Sequence, residues 1–291
     1  MGGNLMTAGM SREDLFKSFS PGGGQTIEFY LTDSLAAMRG MSRVADVIVT
    51  SPPYNMRKEY GVHMDNMSRG DYLNWMASFG EAAGNALSED GSLFLNLGGR
   101  PEDPWLPWEA ARAAAGGMKL QNVIHWIKSI AIDASPSGQG VTVGHFKPIS
   151  SRRFLSDCHE YVFHFTRSGS KGLEKLAIGV PYKDKSNIGR WKSALSDVRD
   201  RGNVWFIPYE TIRSRSQRPH PATFPSRLPE MCIRLHGVRK GMLVLDPFNG
   251  IGSTALACLR LGVSYAGFEI DEGYLRESCS RVEAALSSSR S

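Results

Sequence analysis

Two short segments carry residues whose types and order suit chemistry. The first is Thr50-Ser51-Pro52-Pro53-Tyr54, at the end of the apolar run 44–50. Consecutive prolines fix φ and remove two N–H donors, which leaves rigid outward carbonyls. Such a carbonyl, with the Ser51 hydroxyl, can take the N–H of an amino group, and the Tyr54 ring can stack on a flat base. Without a partner motif, the same residues would make a plain rigid turn. The second segment is Leu245-Asp246-Pro247-Phe248-Asn249-Gly250-Ile251-Gly252. Its glycines let backbone approach a ligand closely. Glu269 ends the next apolar run, where a carboxylate can accept both hydroxyls of a ribose. A lone Gly-x-Gly is an incomplete dinucleotide fingerprint. With a run on either side and Glu269 in register, it points to a nucleoside-bearing cofactor.

Elements must place these segments together. Alternation and β-branched runs predict strands over 26–33, 44–50, 92–98 and 122–128, with helices over 69–87 and 107–115 between them. The order strand–helix–strand–helix–strand implies a mostly parallel sheet covered on both faces. Residues 131–156, rich in Gly, Ser and Pro, read as an irregular loop. Residues 159–166 (HEYVFHFT) read as a strand, antiparallel at an edge, and 167–217 have weak periodicity. Regular patterns return as a helix over 226–236, a strand over 242–246, a helix over 253–262, a strand over 264–270 and a helix over 272–286. In an open α/β sheet, ligands bind beyond the carboxyl ends of the strands, where both segments fall.

The 291 residues suit one large domain, expected over 26–166 and 218–286, with a loose tail over 1–25 and an insertion over 167–217. At 41% hydrophobic and 22% charged, the composition excludes wholesale disorder. No run of about 18 apolar residues predicts a membrane span. The first residues lack the apolar stretch of a signal peptide, and Met6 departs from the myristoylation pattern that Gly2 would open. Cys158, Cys232, Cys258 and Cys279 form no CxxC pair, so neither a zinc site nor a disulfide framework is expected, and a reducing, cytosolic compartment is. His159-Glu160 with His164 is not HExxH, and no metal site is expected there. Residues 167–227 hold 13 Lys and Arg against 5 Asp and Glu, a balance of +8 in a chain of net +5. Positive charge gathered in one segment suggests a polyanion partner, although a solvated basic face would look the same.

Together the two segments resemble the β-class of DNA amino-methyltransferases, whose catalytic [DNS]PP[YFW] precedes an FxGxG cofactor loop. Here Ser51-Pro52-Pro53-Tyr54 comes well before Phe248-Asn249-Gly250-Ile251-Gly252. Val123-Ile124-His125-Trp126-Ile127-Lys128 resembles the family's xxWxK strand, His159–Phe165 its HEYIxxF strand, and His220–Pro225 its HPAxFP segment. The family loop DPFxGSGTT reads DPFNGIGST here. The resemblance covers 26–166 and 218–285. It implies a Rossmann-like methyltransferase fold with circularly permuted motif order, and a target recognition region within 167–217.

It further implies S-adenosylmethionine as cofactor and double-stranded DNA as partner, with no membrane. A homodimer is an expected form, and a cognate restriction endonuclease an expected companion outside any stable complex. Ser51, Pro52, Pro53 and Tyr54 would act on a flipped base, by direct transfer without a covalent intermediate. Asp246, Phe248, Asn249, Gly250 and Gly252 would line the methionine half of the cofactor. Phe224 and Pro225 would close over it, Glu269 would hold the ribose, and Asp33 would touch the adenine side. Arg213, Arg215 and Arg218, with a second cluster of Lys147, Arg152 and Arg153, are candidates for the DNA backbone. Trp191, Trp205, Phe206 and Tyr209 read mainly as the insertion's own core. SPPY is more typical of N4-cytosine enzymes and DPPY of N6-adenine enzymes, so N4 of cytosine is the expected target and N6 of adenine the alternative. RNA, a protein side-chain amide or a silent DNA-binding module remain as less favoured readings.

Overall fold

Residues 13–55, 59–60, 63–64, 66–128, 130–133, 140–143, 151–190, 196–209 and 223–288 are described by the structure, a computed structural model. In chain order the elements are β1 (Leu15–Gly22), β2 (Gln25–Leu31), α1 (Ser34–Arg39), β3 (Ala45–Thr50), β4 (Glu59–Tyr60) and β5 (His63–Met64). Then come α2 (Arg69–Ala86), β6 (Leu87–Leu97), α3 (Leu106–Ala113), β7 (Lys119–Ile127), β8 (Ile130–Asp133), β9 (Gly140–Val143) and β10 (His159–Thr166). The chain finishes with β11 (Val204–Phe206), α4 (Arg227–His236), β12 (Leu243–Asp246), α5 (Ser253–Leu261), β13 (Ser264–Glu269) and α6 (Glu272–Ser288).

Nine strands form one sheet in the order β1-β2-β13-β12-β3-β6-β10-β7-β11. From β2 through β6 neighbouring strands run parallel. β10 runs against both β6 and β7, and β1 against β2. The pleat sorts each buried run onto two faces. Ile48, Leu93, Leu95, Leu245 and Phe268 meet Met38 of α1, Met76 and Phe79 of α2 and Ala110 of α3. Val47, Val49, Phe94, Val244 and Tyr265 meet Met231 and Ile233 of α4, Ala255 of α5 and Leu275 and Val282 of α6. This is the doubly wound α/β architecture expected. Runs of apolar residues without alternation form its parallel strands because both faces are covered.

Three expectations change. The supposed tail contributes β1 over Leu15–Gly22, which turns at Gly22–Gly24 and pairs with β2. Phe19 of β1 stands edge-on to Phe29, with centroids 6.2 Å apart, and that burial draws a short polar-looking segment onto the sheet. The supposed loop 131–156 contains the antiparallel pair β8–β9. HEYVFHFT is antiparallel but lies inside the sheet, between β6 and β7. β10 pairs along its length with both neighbours, and its apolar residues are buried on both faces, Phe163 and Phe165 in one core and Val162 in the other.

The charged segment after β10 does not stand apart from this sheet. Its β11 pairs parallel with β7. Trp205 is fully buried, its indole N–H donating to the Gly202 carbonyl at 3.0 Å. Trp126 donates to the Ile207 carbonyl at 2.7 Å. Several of the segment's cations are paired: Lys175 with Asp200, and Lys185 with Asp197. Arg167 donates to the carbonyls of Gly84 and Leu87 at the end of α2.

Candidate active site

Four adjacent strands, β2, β13, β12 and β3, end at one cleft, and each hands over to a loop that lines it. Behind β3 the chain passes through Ser51, Pro52, Pro53 and Tyr54, all of which line the cleft. The Tyr72 hydroxyl of α2 donates to the Pro53 carbonyl at 3.0 Å, which ties the second proline to the helix. Tyr54 is only 5% exposed: its ring borders the cleft while its hydroxyl points inward.

That hydroxyl enters a buried polar network. It donates to Glu160 Oε2 at 3.0 Å, accepts from Asn96 Nδ2 at 2.7 Å, and lies 2.6 Å from Ser51 Oγ. Asn96 Nδ2 also donates to Glu160 Oε2 at 2.7 Å, and Lys128 Nζ reaches Glu160 Oε1 at 2.5 Å. Burial alone would raise the Glu160 carboxyl. The Lys128 ammonium and the hydrogen bonds from Lys128, Asn96 and Tyr54 outweigh it and hold the pKa below the usual range. Burial, and then the Glu160 charge, push the Tyr54 phenol well above its ordinary value.

The second loop leaves β12 at Asp246, which is buried. Its carboxylate accepts from Thr50 Oγ1 at 2.7 Å, Thr254 Oγ1 at 2.6 Å and the Phe248 amide at 3.2 Å. Asp246 therefore ties the residue before Ser51 to the first turn of α5. Burial lifts its pKa to about 6, against the opposing pull of those hydrogen bonds. Gly250 and Gly252 take φ of +51° and +75°, which side-chain-bearing residues rarely adopt. Asn249 turns its side chain inward: Nδ2 donates to the Gly250 carbonyl and to Ser278 Oγ, and Oδ1 accepts from the Tyr265 hydroxyl.

At the end of β13, Glu269 accepts from the Gly250 amide at 2.9 Å through Oε2, and from the Ile270 and Asp271 amides through Oε1. Burial raises its pKa. A carboxylate keeps lone pairs beyond these three bonds. Two hydroxyls of a ribose can be held there, with the exposed Ile270 beside them as an apolar surface. Phe248 packs between Trp75 and Phe79, with ring centroids 5.5 and 5.6 Å away. Asp33 accepts from the Ala36 amide at 2.8 Å and caps α1 at the cleft's other wall.

Ten of the thirteen residues singled out for catalysis and cofactor thus meet in one cleft: Ser51, Pro52, Pro53, Tyr54, Asp33, Phe224, Phe248, Asn249, Gly250 and Glu269. Asp246, Gly252 and Pro225 do not line it. Asp246 faces inward to Thr50 and Thr254, and Gly252 caps α5. Reading the sequence missed Thr32, Ser34, Trp75, Thr223, Ile270 and Tyr274 on the wall, and Asn96, Lys128 and Glu160 behind it. Those three lie on or just after separate strands, β6, β7 and β10, and only the pairing of the strands brings them together. Of the basic candidates, Arg152 and Arg153 are exposed, with Arg153 4.8 Å from the Phe154 ring. Lys147, Arg213, Arg215 and Arg218 lie outside the described residues, as does Trp191.

The profile of a family described as DNA methylase matches residues 45–280. The type II methyltransferase M.ScaI of Streptomyces caespitosus is 30% identical over 277 residues, covering 89% of this chain and 82% of its own length. The fold is similar to that of PvuII DNA methyltransferase (cytosine-N4-specific), with TM-score 0.62 at 20% identity, covering 87% of this chain and 85% of that one. It is also similar to TTHA0409, a DNA modification methylase of Thermus thermophilus solved with S-adenosyl-L-methionine, with TM-score 0.54 at 20% identity, covering 89% and 93%.

Proposed function

The chain belongs to the DNA methylase family, whose members methylate exocyclic amino groups of DNA bases with S-adenosylmethionine, and from that premise we propose that its target is N4 of cytosine in duplex DNA. The observation that carries this reading is Ser51 at the head of the tetrapeptide, with a neutral hydroxyl lining the cleft. S-adenosylmethionine supplies an electrophilic methyl group on a sulfonium. Glu269 holds the ribose hydroxyls, the backbone about Gly250 takes the methionine half, and Ile270 offers an apolar face to the adenine.

An exocyclic amine is a poor nucleophile because its lone pair is delocalised into the ring. Ser51 Oγ and the Pro52 carbonyl accept its N–H groups and hold it where the lone pair faces the methyl group. Orientation then supplies most of the acceleration. The target base leaves the duplex to reach this cleft, and the Tyr54 ring stacks on it. Such stacking is worth about 1–3 kcal/mol. The basic segment 167–217, with Arg152 and Arg153 at its approach, engages the DNA.

The test is methyl transfer from labelled S-adenosylmethionine to mixed-sequence duplex DNA, followed by nucleoside digestion and mass analysis. N4-methylcytosine is the expected product. N6-methyladenine would overturn the choice of base and leave the cofactor and the cleft in place.

A further inference from the structure

Behind the cleft floor lies a hydrogen-bonded chain in which only one arrangement of protons is allowed. Glu160 is buried, and Lys128 Nζ stands 2.5 Å from its Oε1. An ionised carboxylate only accepts. The single Tyr54 proton is therefore committed to Glu160 Oε2. The two Nδ2 protons of Asn96 are committed as well, one to Glu160 and one to the Tyr54 oxygen, each at 2.7 Å. This amide orientation leaves Asn96 Oδ1 buried without a partner among the described residues, but the reverse would set an oxygen against the carboxylate. The contact of 2.6 Å between Ser51 and Tyr54 then has one solution: Ser51 donates and Tyr54 accepts. With Asn96's protons spent, its 3.4 Å approach to Ser51 Oγ carries none of them. The lone pairs of Ser51 Oγ are left for the cleft.

We propose that Glu160, kept charged by Lys128, is a positioning residue that acts through Tyr54 to fix Ser51 as a hydrogen-bond acceptor toward the substrate amine. The inference rests on the amino-methyltransferase reading above and deepens it. It also states what the site rejects. A base edge that presents a carbonyl where cytosine presents its amine would set oxygen against oxygen. If Glu160 is neutral, its own proton can go to Tyr54. The Tyr54 proton then turns to Ser51, and the Ser51 proton faces the cleft, where it opposes the amine. The charge on Glu160 is therefore what selects the working polarity. The titratable and charged groups facing it are Lys128 just after β7 and Tyr54 beyond β3, with Tyr209 next to Lys128. On its own side of β10 stand His159 and Asp157.

The experiment measures kcat on duplex DNA from pH 5.5 to 8.5, together with the Kd for S-adenosylmethionine by calorimetry, for the wild-type chain, Glu160→Gln and Lys128→Met. Glu160→Gln is expected to lower kcat about 100-fold at pH 7.5, the size seen when an oriented hydrogen-bond partner is lost, while the Kd moves less than about 3-fold. Lys128→Met leaves the carboxylate without its cation, so Glu160 protonates at higher pH. Its kcat should fall on going from pH 8 to pH 6, where the wild type changes little. If a single variant does not fold, the neutral pair Lys128→Met/Glu160→Gln is used, and it should show the low kcat at every pH. A kcat for Glu160→Gln near that of the wild type overturns the proposal. So does a parallel loss of kcat and cofactor binding, which is the mark of a structural role, or a Lys128→Met profile that superimposes on the wild type. An inactive wild-type chain that still binds cofactor removes the underlying reading, and this inference with it.

Discussion

Tyr54 divides its two ends between two surroundings: the ring borders the cleft and the hydroxyl is bound to Asn96, Glu160 and Ser51. Tyr54→Ala removes the base's stacking surface and opens the network, yet leaves the Gly250–Glu269 contact intact. Turnover should fall at least about 100-fold while the Kd for S-adenosylmethionine stays within about 3-fold; equal losses in both would contradict this division. Gly250→Val should do the reverse. A β-branched residue at φ +51° is strained, and the amide that meets Glu269 must move. Calorimetry should show no cofactor binding by Gly250→Val at concentrations that saturate the wild type. The residues behind these two predictions were legible in the sequence because each chemistry sits within a few consecutive positions. Asn96, Lys128 and Glu160 were not, since they meet only when three strands come into register. Asp246 and Asn249 were legible as residue types, but the sequence could not show that their side chains turn inward.

At the scale of elements, β6, β10 and α4 are joined by a second buried polar cluster. Ser92 Oγ lies 3.0 Å from both His164 Nε2 and His236 Nδ1. His164 also stacks on Phe94 at 4.4 Å. Burial pushes His164 down to about 4, and burial with the charges of Lys171 and Arg239 pushes His236 down to about 3. Both are therefore neutral in the folded chain at neutral pH, whereas the unfolded chain protonates them near 6.5. Stability from this pair is complete above pH 6.5 and declines as pH falls toward 4, by about 1.4 kcal/mol per pH unit for each histidine. Asp246, raised to about 6, acts in the opposite sense between pH 6 and its unfolded value of 3.8, and offsets about one proton. Urea unfolding should show wild-type stability falling from pH 6.5 to pH 5. In His236→Asn that slope should be shallower by about 1.4 kcal/mol per pH unit, and an unchanged slope would count against the pair. Of the elements, parallel strands and amphipathic helices were readable from their periods. β1 and β8–β9 were not, because neither segment shows a sustained alternation in its own sequence.

For the whole molecule, the net charge of +5 understates the basic character of one region, but local pairing reduces what faces solvent. Among the described residues, exposed Arg152 and Arg153 stand outside that pairing. If they meet phosphates, Arg152→Ala/Arg153→Ala should weaken binding to all duplex sequences alike and reduce the slope of log K against log salt by about 2. A loss confined to one sequence would assign them to base reading instead. The charge asymmetry was visible from counting; which cations are already spent on Asp197, Asp200 and the end of α2 was not.

The central seam of the sheet has a consequence for synthesis. Thr50 and Asp246 touch across β3 and β12 although 196 positions separate them in the chain. At about 5–20 residues per second, a ribosome delivers the second partner roughly 10–40 s after the first. Until then the gap between β2 and β3 stays open, and Ser51–Tyr54 have no Asp246 to anchor the residue before them. A nascent or prematurely terminated chain holds the tetrapeptide, and even the basic segment, without any means of marking a genome. Competence arrives only when β12 and then β13 fill the gap between β3 and β2, the two strands that have been waiting for them.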